Sequence, residues 1–158
     1  MKRFFLTYYS GIIYFLTFNM AIASLTIVLH EFGHYYIGLL FNCQGKIVLF
    51  EPLKGTYTAL SCTKNVKEDI LASGAFIFTF PLALILASAR NIPERYFSLV
   101  ILGLTLSTAS LDMVKIFKIP LLQIPFHIIG MLLILRGEIK LVEEKVLEIE
   151  EIERSIIY

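Results

Sequence analysis

The sequence predicts a membrane protein of the all-α class, with about four transmembrane helices, a β-hairpin after the first helix and an amphipathic helix at the C-terminus. The chain of 158 residues is 57% hydrophobic and only 17% charged, and its apolar residues fall into long runs. A soluble domain usually carries about 25% charged residues, so soluble globular and disordered chains are both excluded. The formal net charge of +1, without a basic cluster, argues against a nucleic-acid partner.

The first apolar run reaches from Phe4 to Phe41, which is longer than one ordinary span. A hydrocarbon core of about 30 Å needs about 20 helical residues. We therefore expect a helix over 12–41, with residues 1–11 at the membrane interface and a break at Ser10-Gly11. A hairpin of two short segments is the alternative.

Residues 42–67 are rich in β-forming residues on both sides of a turn from Glu51 to Gly55. This pattern predicts a β-hairpin over 45–61. Pairing about the turn sets Cys43 roughly opposite Cys62. We interpret them as two unrelated small residues at the base of the hairpin in preference to a functional thiol pair, since two cysteines make no disulfide framework.

Three further apolar runs, each close to the length of a span, cover Ile70–Ala89, Tyr96–Leu111 and Ile119–Leu135. After Gly137 the composition becomes acidic, and an apolar stripe recurs at three- and four-residue intervals at Val142, Val146, Ile149, Ile152 and Ile156. Such a pattern indicates an amphipathic helix that needs a partner surface. The chain thus divides into a transmembrane core, 1–137, and an acidic amphipathic helix, 138–158, whose partner is the bundle, a second copy or another protein.

The string from His30 to His34 is the most informative motif, because positions i and i+4 of a helix are stacked neighbours. Both imidazoles can therefore face one metal ion, and Glu31 lies beside them. In HExxH enzymes the carboxylate takes a proton from water so that a nucleophile forms at neutral pH. Ionisable groups inside an apolar span are costly and mark functional sites by default.

A catalytic zinc site normally has three protein ligands, so one ligand besides the two histidines is needed. Asp112 is favoured, because it and His34 lie about 9 to 10 Å before the ends of helices that cross the membrane in the same direction. Both residues are therefore expected at a similar depth below the same membrane face. His127 is a reserve, with a hydrogen bond between helices as its more ordinary role, and Glu68 and Asp69 suit a helix N-terminus. The candidates for the third ligand are Asp112, Glu51, Glu68, Asp69 and His127.

These features together resemble the site-2 protease family of intramembrane zinc metalloproteases. The family's His-Glu-x-Gly-His is matched by His30, Glu31, Gly33 and His34, and its Leu-Asp-Gly is matched in part by Leu111-Asp112. The resemblance implies Zn²⁺ on His30, His34 and Asp112, with Glu31 as the general base. The sequence departs from the family at Met113, where the family has glycine, and at Gly74–Phe78, where it has Gly-Pro-x-x-Asn.

The expected function is that of an intramembrane zinc metalloprotease, a hydrolase that cleaves peptide bonds in transmembrane segments of membrane proteins. The hairpin 45–61 could bind an unwound substrate strand through its edge, or form a simple membrane-associated cap. The alternative function is a non-catalytic zinc-binding membrane adaptor of the same fold. A metal transporter is disfavoured, because the spans offer almost no polar pathway.

The expected location is the lipid bilayer, as a multi-pass integral membrane protein. Counted as far as Lys140, lysine and arginine are tied at six on each side of the spans, so charge leaves the orientation open. The family resemblance implies that the metal site lies nearer the cytoplasmic face. The expected partners are a membrane-protein substrate with a transmembrane segment and, through the C-terminal helix, a second copy or another protein.

Overall fold

The computed structural model of the protein describes residues 2–52, 55–63 and 65–157, which form a helical bundle with one β-hairpin. A 3₁₀ turn, Pro120–Leu122, precedes the last helix. In chain order the helices and strands are α1 (Lys2–Leu40), β1 (Cys43–Glu51), β2 (Gly55–Cys62), α2 (Glu68–Ile77), α3 (Thr79–Ala87), α4 (Ile92–Thr108), α5 (Ser110–Phe117) and α6 (Gln123–Ile157).

Three helical segments in the described part of the chain are long and apolar enough to cross a membrane: Phe15–Leu40, Glu68–Ala87 and Pro120–Glu148. A fourth arises if α4 and α5, which meet at an angle of 60°, count as one bent span. Large apolar side chains such as Met20, Leu84 and Leu121 face outward and are at least 62% exposed. The helical architecture agrees with the prediction, with three candidate spans, or four if the bent pair is included.

Helix α1 is longer than the sequence predicted. It begins at Lys2 and passes through Ser10 and Gly11 without interruption, so the expected break there is wrong, as is the alternative hairpin of two segments. A single glycine inside a helix costs only about 1 kcal/mol, which the apolar residues on both sides can offset. The helix ends where Asn42 adopts the left-handed conformation, with φ of 57°, a common C-terminal cap.

The hairpin after α1 confirms the prediction for 45–61 and extends it slightly at both ends. The antiparallel register pairs Cys43 with Cys62 and Ile47 with Thr58. The two cysteines form a disulfide, so the interpretation of them as unrelated small residues is wrong. Leu53 and Lys54 of the predicted turn lie outside the described residues.

Two of the predicted spans are each divided into two helices. The second is interrupted at Phe78, between α2 and α3, and the third bends by 60° at Ala109, between α4 and α5. Before this bend, the hydroxyls of Thr105 and Thr108 donate to the carbonyls of Ile101 and Leu104, each at 2.8 Å. Threonine hydroxyls that bond to the preceding turn bend helices. The 60° turn redirects α5, which carries Asp112.

Glycines allow close contacts between helix backbones. Opposite Gly130 of α6, a Cβ atom added to Gly103 of α4 would lie 2.5 Å from a carbonyl oxygen, and Gly33 and Gly74 meet in a similar way between α1 and α2. Small residues let helix backbones approach closely, which supports association in an apolar medium.

The bundle has two ends, which we name for reference. The hairpin end contains the C-terminus of α1, the hairpin, the N-terminus of α2, the C-terminus of α5 and the N-terminus of α6. The opposite end contains the connection between α3 and α4 and the contact in which the Asn19 amide donates to Glu138 at 3.1 Å. Helices α1 and α6 both continue past this contact, to Lys2 and Ile157.

Candidate metal centre

Three side chains from two helices converge near the hairpin end. His30 and His34 lie one turn apart on α1, and Asp112 comes from the first turn of α5. The Nε2 atoms of the two histidines are 3.3 Å apart, and Oδ2 of Asp112 lies 3.4 Å from His30 Nε2 and 3.3 Å from His34 Nε2. His30 and Asp112 are buried, with 5% and 7% of their surface exposed. This group could hold a metal ion.

The triangle of donor atoms has the size that a tetrahedral ion requires. Ligands about 2.0–2.1 Å from a tetrahedral ion lie about 3.3–3.4 Å from one another, and the three measured edges match this value. Two imidazole nitrogens and one carboxylate oxygen are also a donor set that zinc accepts. The geometry therefore fits an ion held by three protein atoms.

Glu31 lies next to this triangle and does not belong to it. Its Oε1 atom is 3.9 Å from His30 Nε2, and the residue is buried, with 8% of its surface exposed. The sequence predicted that Glu31 lies beside the histidines on the helix. In the structure its carboxylate lies beside His30. The separation of 3.9 Å is longer than the 3.3–3.4 Å edges of the triangle.

A backbone carbonyl of α2 orients one of the histidines. Nδ1 of His34 lies 2.8 Å from the Leu71 carbonyl oxygen, so this nitrogen carries the proton and donates, and Nε2 is left to bind an ion. Such hydrogen bonds orient metal-binding histidines and raise their basicity. Nδ1 of His30 is buried and has no hydrogen-bond partner within the described part of the chain.

The contact between α1 and α2 depends on two glycines beside the site. A Cβ atom on Gly33 would lie 1.9 Å from the Gly74 carbonyl oxygen, and one on Gly74 would lie 2.6 Å from the Gly33 carbonyl oxygen. No side chain fits between these backbones. Gly33 therefore separates the two histidines in sequence and also admits α2, which supplies the Leu71 carbonyl.

Two further contacts tie the site to the hairpin end. The Thr58 hydroxyl of β2 donates to the Glu31 carbonyl oxygen at 2.8 Å, so the hairpin packs on the helical turn that carries the motif. Oδ1 of Asp112 lies 3.7 Å from Nζ of Lys115, whose side chain is half exposed. The Asp112 carboxylate thus directs one oxygen to the histidines and the other toward a cation.

The remaining ligand candidates lie elsewhere. His127 on α6 contacts Ser107 on α4, with Nδ1 2.9 Å from the hydroxyl oxygen, which is the interhelical hydrogen bond expected as its ordinary role. Glu51 accepts a hydrogen bond from the Tyr57 hydroxyl. Glu68 and Asp69 lie in the first turn of α2, where Asp69 accepts from the Ile70 amide at 3.0 Å.

Comparison with protein-family models, with curated proteins and with solved structures finds no match. The likeness to site-2 proteases therefore depends on the sequence motifs alone.

Sequence reasoning missed three features of the site. The Leu71 carbonyl and the contact of Gly33 with Gly74 depend on how α2 packs, and no local pattern encodes that packing. The ion pair of Asp112 with Lys115 has the i, i+3 spacing of helical neighbours, so the sequence contained a signal for it.

Proposed function

We propose that the protein is an integral membrane zinc metalloprotease that hydrolyses peptide bonds in transmembrane segments of other membrane proteins. The observation that carries the proposal is the triangle formed by His30, His34 and Asp112, with edges of 3.3–3.4 Å, beside a buried glutamate. Three protein ligands leave one position of a tetrahedral site for water or substrate, which distinguishes catalytic from structural zinc sites.

The roles of the residues follow from their positions. Zinc, when bound, would supply Lewis-acid chemistry, lowering the pKa of water and polarising a carbonyl. Glu31 would accept the proton of the attacking water and pass it to the leaving amine, as a general base and then a general acid. The Leu71 carbonyl holds His34 in the tautomer that keeps Nε2 free.

A substrate would have to unwind before cleavage, because a helix hides its carbonyls in its own hydrogen bonds. The hairpin is a two-stranded sheet, and an extended segment can add to the edge of such a sheet through backbone hydrogen bonds. Thr58 couples β2 to the turn that carries Glu31. This contact supports the hairpin as the place where an unwound segment is held near the site. A simple cap over the helix ends is the competing role.

The test is the Glu31→Gln variant, compared with wild type in detergent and in lipid. We expect it to retain its zinc and to lose cleavage of model transmembrane substrates, because an amide cannot accept the proton. Cleavage at the wild-type rate would exclude Glu31 as the base. Loss of zinc in this variant would instead make Glu31 a ligand.

A non-catalytic zinc-binding adaptor is the second candidate, and one observation favours it. Phe78 stands at the position where the site-2 protease motif has asparagine. Its ring packs on Phe32 and Tyr36 of α1, with ring centroids 5.3 and 5.7 Å away. An aromatic ring donates no hydrogen bond to a developing oxyanion, which such enzymes normally stabilise. Wild-type protein that binds zinc but cleaves none of the substrates would support this candidate.

A further inference from the structure

The hairpin end contains a disulfide. Cys43 and Cys62 face each other at the base of the hairpin, are bonded, and are the two cysteines of the chain. Disulfides form and persist in oxidising surroundings and are rare in the cytosol, where thiols are kept reduced. The bond therefore indicates that the hairpin end faces an oxidising compartment.

The numbers of lysines and arginines at the two ends of the bundle also favour a hairpin end that faces away from the cytoplasm, when they are counted with the helix bounds of the structure. Helix α6 continues to Ile157, so Lys145 lies near the C-terminal limit of the candidate span Pro120–Glu148 and Arg154 follows it, both at the opposite end. Counted along the sequence, these two bring the opposite end to eight lysines and arginines, against six in the segments 42–67 and 112–118 of the hairpin end. The full set at the opposite end is Lys2, Arg3, Arg90, Arg95, Arg136, Lys140, Lys145 and Arg154. Lysine and arginine near span ends are enriched on the cytoplasmic side.

We infer that the hairpin end, with the candidate metal centre, lies on the extracytoplasmic side of the membrane and that the opposite end is cytoplasmic. This is the reverse of the orientation that the family resemblance implies. His34 and Asp112 lie about 9 and 8 Å from the hairpin-end termini of their helices, so the site is within the outer half of the bilayer.

The orientation names a substrate class, a step that rests on the proposed protease function. The substrates are membrane proteins whose transmembrane segments unwind in the half nearer the extracytoplasmic surface. Cleavage there releases an extracytoplasmic fragment with a short apolar stub at the end that adjoined the membrane, and leaves most of the span in the membrane. A site near the cytoplasmic face would divide the same segment in the other half.

The test measures orientation directly, without any assay of cleavage. In a Cys43→Ala/Cys62→Ala background, single cysteines replace the exposed residues Gln44 of β1 or Glu148 of α6. Intact cells are treated with a membrane-impermeant maleimide. We expect Gln44→Cys to be labelled in intact cells and Glu148→Cys only after permeabilisation, and the reverse pattern would overturn the inference.

A second measurement keeps both native cysteines. The full chain is fused at its C-terminus either to a reporter that is active only in the cytoplasm or to one that is active only outside it, and free thiols are alkylated at lysis. We expect activity from the cytoplasmic reporter alone and no alkylation of Cys43 or Cys62. Activity of the external reporter alone would overturn the orientation even if the disulfide persists. Failure of Glu31→Gln to change cleavage would overturn the protease proposal and leave these results intact.

Discussion

At the scale of single residues, the three proposed ligands have separate predicted effects on metal binding. His30→Ala or His34→Ala should abolish stoichiometric zinc, because two remaining ligands chelate weakly. Asp112→Asn should bind zinc more weakly than wild type, since an amide is a poor substitute for a carboxylate. Metal analysis and competition with a chelator measure both effects.

His127→Ala is the matched control for these variants, because His127 contacts Ser107 and is absent from the triangle. We expect it to retain full zinc affinity. If it loses zinc while Asp112→Asn does not, the third ligand is His127 and the proposed role of Asp112 is wrong.

At the scale of elements, the contact of α1 with α2 is predicted to control the site through Gly74. Gly74→Ala places a Cβ atom 2.6 Å from the Gly33 carbonyl oxygen, so α2 has to move away from α1. Overpacking of this kind costs about 1–3 kcal/mol, and the shift also removes the Leu71 carbonyl from His34. We expect a lower thermal midpoint together with weaker zinc binding.

The control for Gly74→Ala is Ser73→Ala, one position earlier on an exposed face of α2. It adds no atom to the interface and should behave as wild type in both measurements. Equal effects of the two substitutions would show that the contact of Gly33 with Gly74 has no special role.

The disulfide is predicted to stabilise the hairpin. Its cysteines are 19 residues apart, and closing a loop of that length stabilises a fold by about 3 kcal/mol through the lost entropy of the unfolded chain. Cys43→Ala/Cys62→Ala should therefore lower the thermal midpoint measured without reductant. Wild type measured with a reductant should show a similar decrease, and no change in either would mean that the bond does not restrain the unfolded chain.

At the scale of the whole molecule, the amino-acid composition changes at Gly137, but the packing of the bundle continues beyond it. Helix α6 passes through it without interruption, Leu141 is buried, and Glu138 accepts a hydrogen bond from Asn19 of α1. Val142 and Val146 of the apolar stripe are exposed, while the side chains of Ile149, Ile152 and Ile156 lie outside the described residues. The stripe remains a predicted partner surface.

Two truncations test this division. Ending the chain after Glu143 should leave zinc content and stability near wild type, because the contacts of Glu138 and Leu141 remain, while oligomer size in detergent decreases if the stripe binds a second copy. Ending it after Gly137 removes both contacts and should lower the thermal midpoint. Equal stability of the two shortened proteins would show that residues 138–143 contribute nothing to the bundle.

The features that depend on local pattern could be predicted from the sequence alone. The i, i+4 spacing of His30 and His34 fixes them on one helical face, and apolar runs and β-forming residues predict the helices and the hairpin because burial and backbone preference act over short segments. The choice of Asp112 followed from helix length and direction, which are also properties of the sequence.

Three features became visible only in the folded chain: the start of α1, the bond between Cys43 and Cys62, and the 60° turn of α5 that brings Asp112 to within 3.4 Å of both histidines. The uninterrupted helix through Gly11 reflects a cost of about 1 kcal/mol that neighbouring residues can offset, so the glycine alone could not predict a break. The bend at Ala109 and the seating of α2 on Gly33 depend on contacts between residues far apart in the chain. Their geometry is set by packing, which is a property of the assembled bundle and of no single segment.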